Sequence, residues 1–451
     1  MNRLLNNMKR IRLFLIAAFG MLQLNAQNPV CPIGTYIADP TARVWPDGKL
    51  YIYGSTDEAT DHWCSYKHDV LFTSDLSTWN MVTDIFASKG KNDSLPEIDP
   101  LLFAPDAMFR NNQYYLYFCT PNGKYSEGVA TSGSPLGPFG HAQKLNLSKY
   151  GGIDPAIFVD DDGQAYYYWG QATMKGAKMM PDMVTIDTTT IQSSLLNSKD
   201  HFFHEGSFVF KRKGIYYAVY ADQERRDSRP TCLGYATSSS PLGPFTYRGI
   251  IIDNFGCDPE SWNNHGSVAE YLGKWYVFYH RSSQGSQLMR RACMELISFA
   301  ADGFIKEVEM TSQGAGKPLP ALAKIEAERA CFLVGYCRIK PLQKGNEIIS
   351  DIKTNDKAAF KYIDFGKGAD SFKVRAFTYN GGTIIVHTGS RDGKIIGRLT
   401  IPHVAPGKRE YKEYGCTVSK VTGVKALWLE FKGEEEGTKL FNIDNLWFSN
   451  K

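Results

Sequence analysis

Three acidic residues have sequence surroundings that are typical of groups that do acid/base chemistry. Asp39, Asp154 and Glu205 stand in the segments YIADPTA, GGIDPAIF and FHEGSFVF, which otherwise predict apolar β-strands. Burying an unpaired carboxylate in such a strand costs free energy, which favours a functional explanation. Carboxyl groups that gather in one cleft push their pKa values apart, so one can act as a base and another as an acid. The three residues therefore predict an acid/base site if the fold brings them together.

An aromatic repeat supplies the elements that would position them. Each of the three acids, and likewise Asp106 and His265, precedes a tyrosine-centred strand by 9 to 12 residues. The central tyrosines are spaced by 64, 51, 50 and 60 residues. The five strands are KLYIYGS (49–55), QYYLYFC (113–119), QAYYYWG (164–170), GIYYAVY (214–220) and KWYVFYH (274–280). A period near 50 predicts a five-bladed β-propeller, whose inner strands converge on one axis.

The chain divides into two predicted domains, both all-β. The repeats place the propeller in residues 27–311, and the Gly/Pro-rich stretch 312–320 predicts a linker. Residues 321–451 alternate between apolar and polar positions without continuing the aromatic repeat. This pattern favours a separate β-sandwich of the jelly-roll kind.

The N-terminus predicts export. Lys9 and Arg10 precede the apolar run 13–22, and cleavage after Ala26 would remove residues 1–26 as a signal peptide. The run is too short to span a bilayer, and no later stretch predicts a membrane span. We therefore expect a periplasmic or secreted protein. The net charge of +4 without a basic block argues against nucleic acid as a partner, and we expect a monomer.

The ordered set of motifs resembles glycoside hydrolase family 43 over residues 30–310. Besides the three acidic segments, it includes FAPD (103–106), two copies of SPLGPF, NHGSV (264–268) and YHR (279–281). The resemblance implies a five-bladed propeller that hydrolyses a glycosidic bond with inversion and needs no organic cofactor. It implies Asp39 as the general base, Glu205 as the general acid and Asp154 as the residue that orients Glu205 and keeps it protonated. Acid and base would then lie roughly 6.5 to 9.5 Å apart.

Four further residues are predicted to contact the sugar. By resemblance, Arg281 of YHR would bind sugar hydroxyls, and His265 would lie near the axis and help to hold a central cation or water. Phe103 stands where the family usually has Trp, and its ring could stack on the sugar. Trp63, in the loop after the first aromatic strand, could line the pocket. Asp106 has no acid/base role in the family, so we expect it to be structural.

The C-terminal region resembles a family 6 carbohydrate-binding module. The matching segments are IEAERA (325–330), YIDFG (362–366), FKVRA (372–376) and FNIDNLWF (441–448). The resemblance implies a structural calcium ion bound by Glu326, Glu328 and Asp444. The sugar-stacking Trp of that family is missing, because the corresponding segment 405–408 is Ala-Pro-Gly-Lys. The domain could therefore be a structural companion of the propeller or could bind sugar through another face.

The leading hypothesis is an exo-acting hydrolase that removes arabinofuranosyl or xylosyl units from plant cell-wall polysaccharides. An endo-arabinanase or endo-xylanase of the same fold is the alternative, and a non-catalytic glycan-binding propeller is a weaker one. A fructan-cleaving propeller is disfavoured, because those enzymes carry Arg-Asp-Pro and Glu-Cys motifs. In this chain Ile153 precedes Asp154 and Gly206 follows Glu205.

Overall fold

The computed structural model describes residues 27–96, 98–121, 126–147 and 151–450. The predicted signal peptide, residues 1–26, lies outside this part of the chain. The regular structure of the described residues is almost entirely β-strand, with one short helix, α1 (Ser198–His201), and 3-10 turns at 188–190, 327–329 and 406–408. None of the helices in this part is long and apolar enough to cross a membrane.

Five antiparallel sheets form the N-terminal domain, four of them four-stranded and the fifth three-stranded. They comprise β1 (Ile37–Val44), β2 (Leu50–Thr56), β3 (Lys67–Thr73) and β4 (Asn80–Ala87); β5 (Phe103–Arg110), β6 (Gln113–Cys119), β7 (Glu127–Ser132) and β8 (Gly140–Lys144); β9 (Ala156–Val159), β10 (Ala165–Trp169), β11 (Thr173–Lys178) and β12 (Gln192–Asn197); β13 (Phe203–Arg212), β14 (Ile215–Asp222), β15 (Cys232–Ser238) and β16 (Thr246–Asp253); β17 (Ser267–Tyr271), β18 (Lys274–Ser283) and β19 (Ser286–Ile297).

The sheets close into a ring. The first strand of each sheet contacts the first strand of the next, from β1 through β5, β9 and β13 to β17, and β17 contacts β1 again. The prediction of a five-bladed propeller is confirmed. Its hairpins follow the turn chemistry of the sequence, since Asn111 and Asn112 between β5 and β6 have φ of 53° and 58°. Two successive positive φ values match the twist of the flanking strands.

The aromatic repeat packs between neighbouring blades. Tyr117 of β6 lies 5.7 Å from Tyr167 of β10, measured between ring centroids, and Phe158 of β9 lies 5.9 Å from Tyr216 of β14. Burying large rings between sheets gives much of the apolar stabilisation of such a fold. The repeated tyrosines therefore stabilise the contacts between blades, and the polar residues that precede them in the sequence lie nearer the axis.

The C-terminal domain is a sandwich of two six-stranded sheets, as predicted. The first sheet contains β20 (Leu319–Pro320), β22 (Phe332–Val334), β25 (Lys357–Asp364), β27 (Gly382–Thr388), β28 (Lys394–Ile401) and β30 (Val424–Lys432). The second contains β21 (Ile325–Glu326), β23 (Arg338–Gln343), β24 (Asn346–Ser350), β26 (Ala369–Thr378), β29 (Tyr411–Val421) and β31 (Phe441–Ser449).

The two domains share an apolar core. Cys331, Ala359 and Trp428 of the sandwich belong to the same buried cluster as Phe208 and Val277 of the propeller. The sandwich therefore packs directly on the propeller. All nine cysteines are free thiols, eight of them buried, which fits their role as small apolar side chains.

Candidate active site

A pocket of about 210 Å³ opens at the propeller axis. Six of the residues predicted from the sequence line it: Asp39, Asp154, Glu205, Phe103, Trp63 and His265. The other lining residues are Cys64, Ala104, Ile153, Gln171, Trp262, Asn263 and Arg290. A concave site with aromatic walls and a few converging polar groups has the form of a small-molecule binding site.

Backbone irregularities direct the three acids toward the axis. Asp39 and Asp154 have positive φ, 51° and 60°, and Gly206 after Glu205 has φ of 69°. The pairing of β1 with β2 shifts register after Ala38, and that of β13 with β14 shifts on both sides of Glu205. A bulge turns a side chain out of the regular alternation of a strand. Backbone strain of this kind commonly marks functional positions.

Asp39 is held in its ionised form. Arg290 Nη1 donates to Asp39 Oδ1 at 2.8 Å, and Ser55 Oγ donates to Oδ2 at 2.6 Å. Burial acts to raise the pKa of Asp39, but the Arg290 guanidinium, together with His280 and His265, brings it well below its usual range. Asp39 is therefore a carboxylate at neutral pH, the state that a general base needs.

Arg290 is in turn clamped by a second carboxylate that the sequence did not single out. Asp57 accepts from Arg290 Nε and Nη2, each at 2.9 Å, and also from the Arg290 backbone N–H at 2.9 Å. The guanidinium lies 4.8 Å from the Trp63 ring centroid, within cation–π distance. Burial raises the pKa of Asp57 to about 6, with Arg290 opposing the rise. Asp57 and Trp63 thus fix the arginine that serves Asp39.

Glu205 and Asp154 form a second acidic pair on the axis. Gln171 Nε2 donates to Glu205 Oε2 at 2.7 Å, and Asn263 Nδ2 donates to Oε1 at 3.3 Å. The backbone N–H of Gly206 donates to Asp154 Oδ2 at 3.0 Å. Burial raises the pKa of Asp154 well above its usual range, and the charges of Glu205 and Asp39 raise it further. The environment of Asp154 therefore favours its protonated form, whereas that of Asp39 favours the ionised form.

Two histidines support this arrangement. The His265 ring packs on Gly206, where a Cβ would lie 2.9 Å from the ring, and its Nδ1 lies 3.5 Å from Asp39 Oδ1. His280 Nδ1 accepts the backbone N–H of Asp39 at 3.2 Å, and its Nε2 lies 3.2 Å from the carbonyl oxygen of Asn263. Burial lowers the pKa of both imidazoles, so both are neutral at pH 7.

Aromatic rings form the wall of the pocket. Trp63 and Trp262 lie 6.1 Å apart between centroids, and the His204 ring meets Trp262 edge-on at 5.4 Å. Phe103 lines the pocket as expected. Trp262 was missed in the sequence, although its position two residues before the NHGSV segment was an available signal.

The prediction that Arg281 contacts the sugar is wrong, because its side chain does not line the pocket. Arg281 is buried outside the pocket, where its Nη2 and Nε donate to Tyr279 Oη at 2.6 and 3.0 Å. Side chains alternate along a strand, so His280 and Ser282 of β18 face the axis and Arg281 faces away. Arg290 pairs with Ser282 across the sheet and therefore lies on the axis side. The pocket arginine comes from the neighbouring strand.

Asp106 is structural, as expected. It accepts from Arg43 Nε at 3.0 Å and from the backbone N–H of Ile157 at 2.8 Å, and it does not line the pocket. Its carboxylate ties the first three blades together near the axis. The shared register of the repeat therefore places an acid in the pocket in three blades and a structural carboxylate in this one.

Two of the residues expected to bind calcium, Glu326 and Asp444, lie where β21 pairs with β31, and Glu328 lies in the 3-10 turn that follows β21. Glu326 pairs with Asn445, beside Asp444, and burial and Asp444 together raise the pKa of Glu326. Glu328 is 2% exposed and neither of its carboxyl oxygens has a hydrogen-bond partner. Asp444 pairs with Arg375. The described residues contain no group of three His, Cys, Asp or Glu side chains close enough to hold a metal together. The orphaned Glu328 is the observation that fits a cation, because a buried carboxylate needs a partner.

Comparison with known proteins assigns families to both domains. The profile described as "Glycosyl hydrolases family 43" matches residues 26–305, and that described as "Carbohydrate binding module (family 6)" matches residues 334–450. A xylosidase/arabinosidase of Thermoclostridium stercorarium is 29% identical over 90% of this chain and 96% of its own length. An arabinoxylan arabinofuranohydrolase of Bacillus subtilis (strain 168) is 29% identical over 92% of this chain and 91% of its own.

Solved structures agree with these matches. The family 43 arabinoxylan arabinofuranohydrolase from Bacillus subtilis, in complex with cellotetraose, superimposes with a TM-score of 0.54 at 28% identity, covering 95% of this chain and 98% of the other. The GH43_1 enzyme from Xanthomonas citri, complexed with xylose, gives a TM-score of 0.55 at 28% identity, covering 65% of this chain and 95% of the other. The first likeness spans both domains.

Proposed function

This chain belongs to glycosyl hydrolases family 43, and we propose that its axial pocket hydrolyses a terminal arabinofuranosyl or xylosyl linkage with inversion. The chain is a glycoside hydrolase of the arabinofuranosidase/xylosidase type, and its substrate is a carbohydrate. The observation that carries the proposed mechanism is the convergence of Asp39, Asp154 and Glu205 on one pocket in different protonation environments.

We assign the steps by these environments. Asp39, ionised beside Arg290, takes a proton from a water molecule, whose oxygen attacks the anomeric carbon. The bond from that carbon to the leaving oxygen breaks on the opposite face, and Glu205 gives the leaving oxygen its proton. Asp154 accepts the backbone N–H of Gly206, and we assign it the role of orienting Glu205 and keeping it protonated, since two neighbouring carboxyl groups resist ionising together. A single displacement of this kind inverts the anomeric configuration.

We propose arabinofuranosyl side chains of arabinoxylan as the substrate and exo action as the mode. The relatives named for arabinoxylan match this chain over both domains, including one from Paenibacillus polymyxa that covers 96% of this chain. The pocket volume of about 210 Å³ suits a single sugar unit, with Trp63 on the wall. An endo-acting enzyme would need a groove open on both sides of the acids.

The test is a parallel release assay. We expect the protein to release arabinose from 4-nitrophenyl α-L-arabinofuranoside and from arabinoxylan, and to act more slowly on 4-nitrophenyl β-D-xyloside and linear arabinan. Proton NMR of the first-formed sugar should show the inverted anomer. Retention of configuration, or turnover by Glu205→Gln equal to that of the wild type on arabinoxylan, would refute the assignment.

We also propose a calcium ion at Glu326, Glu328 and Asp444 in the C-terminal domain. Support comes from Glu328, whose pKa is raised to about 7 by burial without a partner. Oxygen ligands of this type suit Ca²⁺, and a bound ion would stabilise the fold by mass action. Adding excess EDTA should lower the Tm of the wild-type protein and leave that of Glu328→Gln unchanged. An equal Tm shift in both proteins would contradict the site.

The remaining expectations are proposals with direct tests. A central cation near His265 stays a prediction, since the neutral imidazole is in the state that a metal ligand needs. We propose export with cleavage after Ala26, which N-terminal sequencing of the secreted protein would test. We propose a monomer, which light scattering in solution would test.

A further inference from the structure

A carboxylate of the C-terminal domain is buried against the propeller. Glu347 of β24 accepts from Arg291 Nη1 at 2.6 Å and from Tyr36 Oη at 2.7 Å, one bond to each oxygen. All three side chains are buried, with Glu347 1% exposed. Removing one partner of such a buried set leaves a charge without compensation. The contact is therefore a strong connection between the two domains and differs from an exposed ion pair.

The two partners of Glu347 come from the first and the last blade. Tyr36 directly precedes β1, and Arg291 lies on β19. These blades meet at the closing seam, which we define as the junction of β1 with β17, β18 and β19. The N-terminal segment also lies on this junction, where the Val30 backbone N–H donates to the Ala292 carbonyl at 2.9 Å. Glu347 therefore spans the seam from outside.

A second contact from the C-terminal domain reaches the same seam. Arg329 Nη1 donates to the carbonyl oxygens of Pro29 at 2.9 Å and Gln27 at 3.3 Å. The segment it holds is bound on its other side to β19, through two hydrogen bonds between the Asn28 side chain and the Met294 backbone at 3.0 and 2.8 Å. The seam is thus covered by two charged side chains of one domain.

Two short routes lead from Glu347 to the catalytic pocket. The carbonyl oxygen of Tyr36 accepts the backbone N–H of Asp57 at 3.0 Å, and Asp57 clamps Arg290. Arg291 directly follows Arg290 on β19, with its side chain on the opposite face of the strand. Glu347 therefore binds Tyr36 and Arg291 on the side of these segments that faces the C-terminal domain, and Arg290 is bound on their opposite side.

We propose that Glu347 is a positioning residue through which the C-terminal domain holds Arg290 against Asp39, so that this domain supports catalysis on every substrate. The inference rests on the proposed function, since it uses the role assigned to Arg290 and Asp39. It differs from a sugar-binding role in a measurable way. A domain that only binds polysaccharide does not affect the turnover of a small aryl glycoside, whereas a positioning domain does.

The experiment compares full-length variants on 4-nitrophenyl α-L-arabinofuranoside and on arabinoxylan. We expect Glu347→Ala to lower kcat about tenfold on both substrates, which corresponds to a modest loss of transition-state stabilisation. We also expect the acid limb of its kcat/KM profile to rise by about one pH unit, because Arg290 then stabilises the Asp39 carboxylate less well. Glu347→Gln keeps a hydrogen-bonding side chain of the same size and should restore most of both.

Two further variants separate positioning from general destabilisation. Glu260→Gln is the matched control, since Glu260 is exposed and meets Arg338 across the same two domains at 3.9 Å. It should behave as the wild type. Tyr36→Phe removes a single bond and keeps the ring, so it tests the proposal if Glu347→Ala does not fold. Its acid limb should move in the same direction.

Each result decides between the alternatives. A folded Glu347→Ala or Tyr36→Phe protein with a wild-type acid limb and kcat would overturn the inference, even if its Tm were lower. A loss confined to arabinoxylan would also overturn it, in favour of a sugar-binding role. An inactive wild-type protein would instead refute the proposed function itself.

Discussion

Replacing Arg290 by Gln tests the central electrostatic feature of the pocket. The guanidinium lies 2.8 Å from Asp39 and has no solvent between it and the carboxylate, since Arg290 is 2% exposed. A unit charge pair about 4 Å apart at an effective dielectric constant of about 20 contributes about 4 kcal/mol. One pKa unit corresponds to about 1.4 kcal/mol, so the pKa of Asp39 should rise by about 2 to 3 units in the variant.

The direction in which the acid limb of kcat/KM moves depends on the protonation state that the proposed general base needs. The folded-state pKa of Asp39 is depressed, so the wild-type base stays ionised as the pH falls. In Arg290→Gln the largest influence that offsets the burial of Asp39 is lost, so the pKa of Asp39 rises and the carboxylate is protonated below the new pKa. The acid limb of kcat/KM, measured on 4-nitrophenyl α-L-arabinofuranoside, should therefore move upward, and activity should recover as the pH is raised.

Matched variants make this result specific. Arg281→Gln removes another buried arginine, which pairs with Arg291 between β18 and β19 but lies outside the pocket, so it should lower Tm without moving the acid limb. Arg290→Lys keeps the positive charge and should retain most of the wild-type profile. An unchanged acid limb in Arg290→Gln, in a protein shown to be folded by near-ultraviolet circular dichroism, would refute the reasoning.

Three further outcomes follow from the site. Glu205→Gln should lower kcat on arabinoxylan by about 10² to 10⁴, the usual contribution of a general acid. The loss of kcat should be much smaller on a 2,4-dinitrophenyl glycoside, because its leaving group needs no proton. Equal losses on both substrates would contradict the acid role. Trp262→Ala should raise KM several-fold more than it lowers kcat in steady-state assays, because the ring lines the pocket and has no acid/base group. Gly206→Ala should lower both Tm and kcat, since Gly206 has a φ of 69° and the added Cβ would lie 2.9 Å from the His265 ring. The control is Gly214→Ala, where the added Cβ would meet open space, and it should affect Tm only.

Much of the pocket was predictable because its residues come from the repeat. Asp39 and Glu205 lie in the inner strands of two blades and Asp154 lies just before that of a third, so the fivefold pattern alone indicated that they meet. Trp63 and Phe103 followed from loop position and resemblance. Arg290 and Asp57 belong to no repeat, since one lies in the third strand of the last blade and the other in the loop after β2. Their pairing depends on ring closure, which joins residues 233 positions apart.

The error at Arg281 has a simple physical cause. Adjacent residues of a strand face opposite sides, so an assignment that is off by one position moves a side chain from the axis to the outer face. The sequence offers His280, Arg281 and Ser282 in succession without showing which of them faces inward. The pairing of Ser282 with Arg290 settles the question, and only the folded sheet contains it.

The amino-acid pattern alone predicted the all-β fold class, three acids near one axis and the class of enzyme, because these follow from local patterns that repeat along the chain. The tertiary structure decided which arginine pairs with Asp39, that Asp57 holds this arginine, and that Glu347 connects the C-terminal domain to the closing seam. These features arise from contacts between distant segments, and the electrostatic effect of each depends on burial. Neither the contacts nor the burial is encoded in any single stretch of residues.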